Sequence, residues 1–303
     1  MIDAATEEFE QNRQRLGAIA YRMLGSVHEA EDVVQDAYLR WHGTPRETVD
    51  SPRAFLAQIV TRLSLDRLKS ARRKRETYVG PWLPEPIAEA AGYVSAPADE
   101  VASDVSFALM LALERLSPLE RAAFLLHDVF EVDFEEIAKV LGRNPAACRQ
   151  LASRARANVR AVRPRFAPDS ATTTRVAEAF FSAARSGDTV ALQRLLAEEV
   201  TLHTDGGGRA SAALNVIAGA DRVVRFFAGL ARKRGRGPPQ ASVRLRLNGG
   251  PGLLTVESDG HRQTLAVDIE GERVTAVYIT RNPDKLRHLD DWLPEAFRVG
   301  SCL

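Results

Sequence analysis

Seven arginines and no acidic residue occupy the stretch from Gly142 to Arg165: Arg143, Arg149, Arg154, Arg156, Arg160, Arg163 and Arg165. Gln150 and Ser153 stand among them. Guanidinium groups bond phosphate oxygens and the edge of guanine, and glutamine and serine bond base edges. The chemistry offered here is recognition of nucleic acid, not the making or breaking of bonds. A second basic run, from Lys69 to Arg75, offers phosphate contacts only, and a short acidic set, Asp32, Gln35 and Asp36, offers the opposite charge to some basic partner.

The elements that position the first set can be read from the residues before it. Asp133 and Glu136 have the spacing of a capping box, with Val132 and Ile137 placed to close a hydrophobic staple, so a short helix is expected to start at Phe134. Ile137, Val140 and Leu141 give that helix one apolar face, and Ala138 is small where a second helix must come close. Gly142 ends it, since a residue without a Cβ turns left-handed cheaply. Asn144 caps the next helix and Pro145 fits its first turn. In this second helix Cys148, Leu151, Ala155 and Val159 are expected to face inward, leaving Arg149, Gln150, Ser153, Arg154 and Arg156 outside. Two short helices, a tight turn and a basic second helix make a helix-turn-helix, whose second helix lies in the DNA major groove. The plain alternative is a helical hairpin with a solvated basic face. Capping, glycine and one-sided charge together favour DNA.

Charge is segregated elsewhere too, under a net of only +1 for 303 residues. Residues 1–50 hold ten acids and five bases, and residues 51–75 hold eight bases and one acid. Two helices joined near Gly25-Ser26 are expected over residues 7–42, the second capped by Ser26 and Glu29. Ser51 and Pro52 start a third, running to about Ala71. A basic helix end favours the helix dipole, but that effect does not call for eight charges. Thr77 to Ser103 reads as a linker whose prolines at 81, 84 and 86 forbid a helix, and every charge from Glu76 to Glu114 is acidic. Ser117-Pro118-Leu119-Glu120 is a further capping box, before the core residues Phe124, Leu125, Val129 and Phe130. His127 reads as structural.

Two cysteines, Cys148 and Cys302, lie far apart and outside any ligand-spaced cluster, which argues against a disulfide framework, a zinc site or other metal, and suits a reducing cytosol. No apolar run is long enough to span a bilayer, and no signal-peptide pattern opens the chain, so no membrane role is expected.

Glu31-Asp-Val-Val-Gln-Asp-Ala-Tyr38, Ser51-Pro-Arg-Ala-Phe-Leu56 with Leu65-Asp-Arg-Leu68, and Leu116-Ser-Pro-Leu-Glu-Arg121 before the helix-turn-helix resemble a bacterial RNA polymerase sigma factor of the extracytoplasmic-function group. The resemblance implies two all-α sigma domains, at 1–76 and 104–166, joined by the acidic linker 77–103. It implies core RNA polymerase and promoter DNA as partners, and neither enzymatic activity nor a cofactor. Asp32, Gln35 and Asp36 match the polymerase-binding helix. Arg62, Arg67, Lys69, Arg72 and Arg73 match the helix that reads and melts the −10 element, with the loop Gly43 to Asp50 holding a flipped-out base. Arg143, Arg149, Gln150, Ser153 and Arg154 match the helix that reads the −35 element. The linker would thread toward the RNA exit path.

After Asp169 the pattern changes. Helices are expected around Val176–Ala184, Ala191–Leu196 and Val223–Leu230. Strands are expected at 200–204, 242–247, 253–258, 261–269 and 273–280, with hairpin turns at Ser258–His261 and Glu270–Glu272. Three helices and a curved antiparallel sheet resemble the SnoaL-like, cone-shaped α+β fold, here spanning 170–290 with a tail at 291–303. Sigma factors ending in this domain form a branch, and three further motifs match it: Trp82-Leu83-Pro84-Glu85-Pro86, Asp205-Gly206-Gly207-Gly208-Arg209 and Asn282-Pro283-Asp284-Lys285-Leu286. The triple glycine allows close backbone approach or hinge motion. The resemblance implies a regulatory role, with Asp205–Arg209 touching the linker or the polymerase-binding domain. The residues leave open a small-molecule ligand, and an isomerase-like acid–base pair, in a pocket lined by His203, Asp205, Tyr278 and Arg281.

Overall fold

The computed structural model describes residues 4–45, 47, 49, 51–89, 105–160, 170–233 and 238–298. Side chains at 4, 70–76, 89 and 160 lie outside the described set, so Arg72 and Arg73 are placed only as backbone. Arg163 and Arg165, linker residues 90–104, part of the loop 43–50 and Cys302 also lie outside it. Two compact units emerge: Met1–Thr77 with Pro97–Arg163, and Tyr78–Ala96 with Pro164–Leu303.

The first unit is helical. Helices α1 (Ala4–Leu24), α2 (Val27–His42) and α3 (Pro52–Glu76) pack through a core of Phe9, Leu16, Ile19, Met23, Val33, Trp41, Leu56 and Val60, all buried. Each such side chain contributes about 1.5–3 kcal/mol by leaving water. Ser26 caps α2 through the N–H of Glu29, as its spacing requires. Helices α4 (Phe107–Glu114), α5 (Pro118–Phe124), α6 (Phe134–Leu141) and α7 (Pro145–Arg160) complete the unit. Ser117 and Glu120 cap each other reciprocally. One turn of π-helix, Leu125–Val129, extends α5.

The segments 1–76 and 104–166 share one unit because α1, α3, α5 and α6 are in contact. The guanidinium of Arg121, 3 % exposed, donates to the carbonyls of Met23 and Leu113 and pairs with Glu114 at 2.8 Å. Arg15 donates to the Phe130 carbonyl at 2.6 Å and lies over the Phe130 ring.

The second unit is a seven-stranded mixed sheet in the order β1-β4-β5-β6-β7-β2-β3. Its strands are β1 (Ala88–Glu89), β2 (Leu196–Asp205), β3 (Ile217–Ala218), β4 (Ala241–Leu247), β5 (Gly250–Val256), β6 (Arg262–Glu270) and β7 (Arg273–Thr280). Helices α8 (Ser170–Ser186), α9 (Thr189–Leu195) and α10 (Ala220–Lys233) cover one face. That is the expected three-helix α+β architecture. The sheet is not wholly antiparallel, because β2 pairs β7 in parallel. The long excursion through β3, α10 and the antiparallel run β4-β5-β6-β7 lets the chain return in the same direction.

Two further expectations fail here. Residues 291–303 do not form a detached tail as far as 298. The 3₁₀ turns Pro283–Lys285, Arg287–Trp292 and Glu295–Phe297 bring Leu286, Leu289 and Leu293 into full burial, and Arg262 holds Asp290 at 2.6 Å and the Phe297 carbonyl at 2.9 Å. Nor is 77–103 a spacer throughout. Its first part belongs to the sheet unit, where Ala88 and Glu89 pair with β4.

Candidate functional site

The helix-turn-helix forms largely as its residues require. Gly142 is left-handed at φ 63°, and Arg143 donates its N–H back to the Ala138 carbonyl, closing α6. Asn144 Oδ1 accepts from the N–H of Ala147 at 2.8 Å. Asp133 occupies the cap position of α6 but makes no side-chain capping bond, so that part of the expected box is corrected. On α7, Cys148, Ala152, Ala155 and Val159 are buried, and Leu151 is only half-buried. Burial raises the Cys148 thiol above its ordinary pKa. Arg143, Arg149, Gln150, Ser153 and Arg154 are all exposed, on one face. Arg149 stacks over Phe134 and pairs with exposed Glu135 at 3.3 Å. Arg156 differs from the rest. It is half-buried, paired with Asp128 at 2.5 Å and bonded to His127, whose ring stacks on Phe134. The structural reading of His127 therefore holds, and Arg156 is a strut of the motif.

On α2, Gln35 is exposed and Asp32 and Asp36 are partly so. The two carboxylates do not stand apart from the basic helix. Arg67 of α3 bridges them at 3.0 and 2.9 Å. Arg62 is exposed and donates to the Lys139 carbonyl of α6 at 2.9 Å, and Lys69 pairs with Asp66. The acidic and basic faces expected to be separate thus meet at Arg67.

The second site is built around Asp205, at the end of β2 and wholly buried. Its carboxylate accepts from the Tyr78 hydroxyl at 2.5 Å, the Leu83 N–H at 2.8 Å and Lys285 Nζ at 2.7 Å. Lys285 also donates to the Leu83 carbonyl and lies over the rings of Trp82 and Tyr78, 4.3 and 4.9 Å from their centroids. Asn282 donates to the Tyr78 hydroxyl, and the Asp205 carbonyl receives the N–H groups of Arg281 and Asn282. Burial, then the charge of Asp205, raises the Tyr78 hydroxyl well above its ordinary pKa, so it stays a donor. Arg209 pairs with Asp284 at 3.1 Å, and Pro84 is buried. The three quoted motifs therefore converge on one clasp that grips residues 78–86. Tyr78 and Lys285 were absent from the expected set. Lys285 stands inside a quoted motif, whereas Tyr78 carries no local signal.

The triple glycine serves close approach. A Cβ on Gly207, whose φ is +57°, would lie 2.2 Å from Asn282 Nδ2 and 2.9 Å from the Tyr78 hydroxyl. Gly207→Ala is expected to cost about 1–3 kcal/mol for the backbone and a similar amount for overpacking. Gly260→Ala, at φ +79° with open space around it, should cost only the backbone share. Thermal melts of the two variants check the difference.

The expected pocket lined by His203, Asp205, Tyr278 and Arg281 does not form. Asp205 is saturated by the clasp. Tyr278 donates to Asp268 at 2.7 Å, His203 stacks on Tyr278, and Arg281 binds the Ser211 carbonyl and Asp259. Register sets His203 beside Tyr278, but the Tyr278 hydroxyl is taken by Asp268, and Asp205 and Arg281 bond elsewhere, so the four do not converge on one space.

The model of Sigma-70 region 2 matches residues 9–74, and that of Sigma-70 region 4 matches residues 106–159. The chain is 42 % identical to the ECF RNA polymerase sigma factor SigJ of Mycobacterium tuberculosis over 288 residues, 92 % of each protein. It is an ECF RNA polymerase sigma factor. The probable ECF sigma factor SigI of the same organism is 32 % identical over 94 % of this chain and 95 % of that protein. The crystal structure of M. tuberculosis SigJ superposes with a TM-score of 0.76 at 40 % identity, covering 92 % of this chain and 97 % of that one. Like other sigma factors, this one binds core RNA polymerase and promoter DNA and directs transcription initiation. No helix among the described residues is long and apolar enough to cross a membrane.

Proposed function

We propose that the α+β unit regulates this sigma factor by holding its linker, and that the helical unit carries the polymerase and promoter contacts. The observation that carries the regulatory reading is Asp205, a fully buried carboxylate whose three side-chain hydrogen bonds all go to Tyr78, Leu83 and Lys285. Trp82, Leu83 and Pro84 are the gripped segment. Asp205, Gly206, Gly207, Gly208, Arg209, Asn282, Pro283 and Asp284 form the grip. A linker so held is withdrawn from any path through the polymerase, and the protein acts in the cytosol where that enzyme works. Run-off transcription with core RNA polymerase, comparing the full chain with Asp205→Ala, tests this. Unchanged output together with a released linker would refute it.

In the helical unit, Asp32, Gln35 and Asp36 dock the polymerase. Arg62, Arg67, Lys69, Arg72 and Arg73 serve the −10 element, and Arg143, Arg149, Gln150, Ser153 and Arg154 serve the −35 element. The exposure of the second set supports its role. The two elements are about 25 base pairs apart, or about 85 Å at about 3.4 Å per pair. Arg62 of α3 touches α6 within hydrogen-bond distance. Both elements are read at once only if α3 and α6 part. Arg154→Ala should cost about 1–3 kcal/mol and relax specificity at a single promoter position. Binding to a panel of singly substituted promoters checks it, and a uniform loss means Arg154 contacts phosphate alone.

A further inference from the structure

One feature of the α+β unit takes no part in the clasp. Between α8, α10 and the strands β4 and β5 lies an open cleft of about 1230 Å³. Asp205 and the linker use the other face of the sheet, because successive side chains along a strand alternate between faces, and Leu202 and Val200 of β2 join the core under the helices.

The floor of the cleft is apolar, made by Phe181, Val224 and Leu253. A separate void of about 20 Å³, room for about one water, also borders Phe181 and Leu253. The walls carry four arginines. Two are engaged: Arg185 holds Glu257, itself 3 % exposed and braced by the Thr255 hydroxyl, and Arg244 pairs loosely with Glu178. The other two, Arg225 and Arg232, lie seven residues apart on one face of α10 and are exposed, with no carboxylate partner among the described residues. Polar and apolar side chains line the cleft in similar measure, and an apolar floor beside convergent polar groups suits a small amphipathic molecule. Unpaired guanidinium groups at its rim select an anion and hold a carboxylate or phosphate through two parallel hydrogen bonds.

We propose that this cleft binds a small amphipathic anion, with its hydrocarbon body on Phe181, Val224 and Leu253 and its charged end between Arg225 and Arg232. The apolar floor favours a small molecule over a nucleic-acid backbone, which has no hydrocarbon to place there. Because Arg225 and Arg232 are exposed and unpaired, replacing them leaves the fold intact. Such a ligand would bear on α8 and α10, the helices that cover the sheet opposite the clasp.

The full chain is titrated calorimetrically with sodium decanoate, decanol and sodium acetate, as the wild type, as Arg225→Ala/Arg232→Ala and as Arg225→Glu/Arg232→Glu. Decanoate is expected to bind wild type, to bind the alanine variant at least tenfold more weakly, and to fail with the glutamate variant. All three proteins should melt alike. Decanol and acetate should bind the wild type at least tenfold more weakly than decanoate. Equal binding of decanoate by wild type and both variants, or no binding by any of them, overturns the proposal. So does a short non-promoter DNA duplex that binds wild type, displaces decanoate and loses affinity in the variants, because the arginines would then be a DNA-contacting surface.

Discussion

Asp205→Ala is expected to destabilise the α+β unit by about 3–5 kcal/mol, because it leaves the ammonium of Lys285 buried without its counter-charge. For a unit of this size that is a fall in melting temperature on the order of 10 °C. The same change should free residues 78–86, which would become cleavable by a protease that spares them in the wild type. Lys285→Met should be comparably damaging, since it leaves the buried carboxylate with only Tyr78 and the Leu83 N–H. The double variant should cost clearly less than the sum of the two, the signature of a coupled pair. Additive losses would mean the two groups act independently and the clasp is not a unit. The clasp also has an alkaline limit. The Tyr78 hydroxyl is raised above its unfolded value of about 10. Above that pH the unfolded chain gives up the proton first, so stability falls as pH rises. Tyr78→Phe removes its share of that fall, and the buried Tyr278, whose hydroxyl is likewise raised, keeps its own.

Arg121→Met should weaken the helical unit by about 3–5 kcal/mol, measured by urea unfolding. The methionine keeps the side-chain length but strands the buried carbonyls of Met23 and Leu113, which lie 98 and 8 residues away. Burial brings the Arg121 guanidinium down to about 10, still well above neutral pH, so the group is charged when it makes these bonds. Arg121→Lys should recover only part of the loss, since one ammonium cannot match the fork that reaches two carbonyls and Glu114. A loss under about 1 kcal/mol in Arg121→Met would show that the carbonyls find other partners.

Much of the fold was legible because its signals are local. Gly142, Asn144 and Pro145 bound the helix-turn-helix within a few residues, and Ser117 with Glu120 does the same for α5. The later strands follow from alternation closed by Gly260 and Gly271. The clasp was only half legible. Its motifs were visible as motifs, but their meeting depends on bonds between residues 127 and 204 positions apart, for which no periodicity speaks. β1 is two residues long in a proline-rich stretch, too short to show alternation. The parallel pairing of β2 and β7 is set by chain return, not by either strand's composition. Arg156 looked like its neighbours in charge and spacing, and only the position of Asp128 separates it from them. The expected pocket failed for a related reason: residue types suited to proton transfer were named without knowledge of the partners that saturate them.

Arg67 sits astride Asp32 and Asp36. A basic surface that takes over the two oxygens it holds evicts it, and the evicted guanidinium then seeks another anion. If α2 docks the polymerase as proposed, docking there and unmasking of a cation on α3 are one exchange, in which occupancy at the first place raises the appetite for phosphate at the second. By reciprocity, a nucleic acid that captures Arg67 leaves the acidic pair hungrier for its own partner.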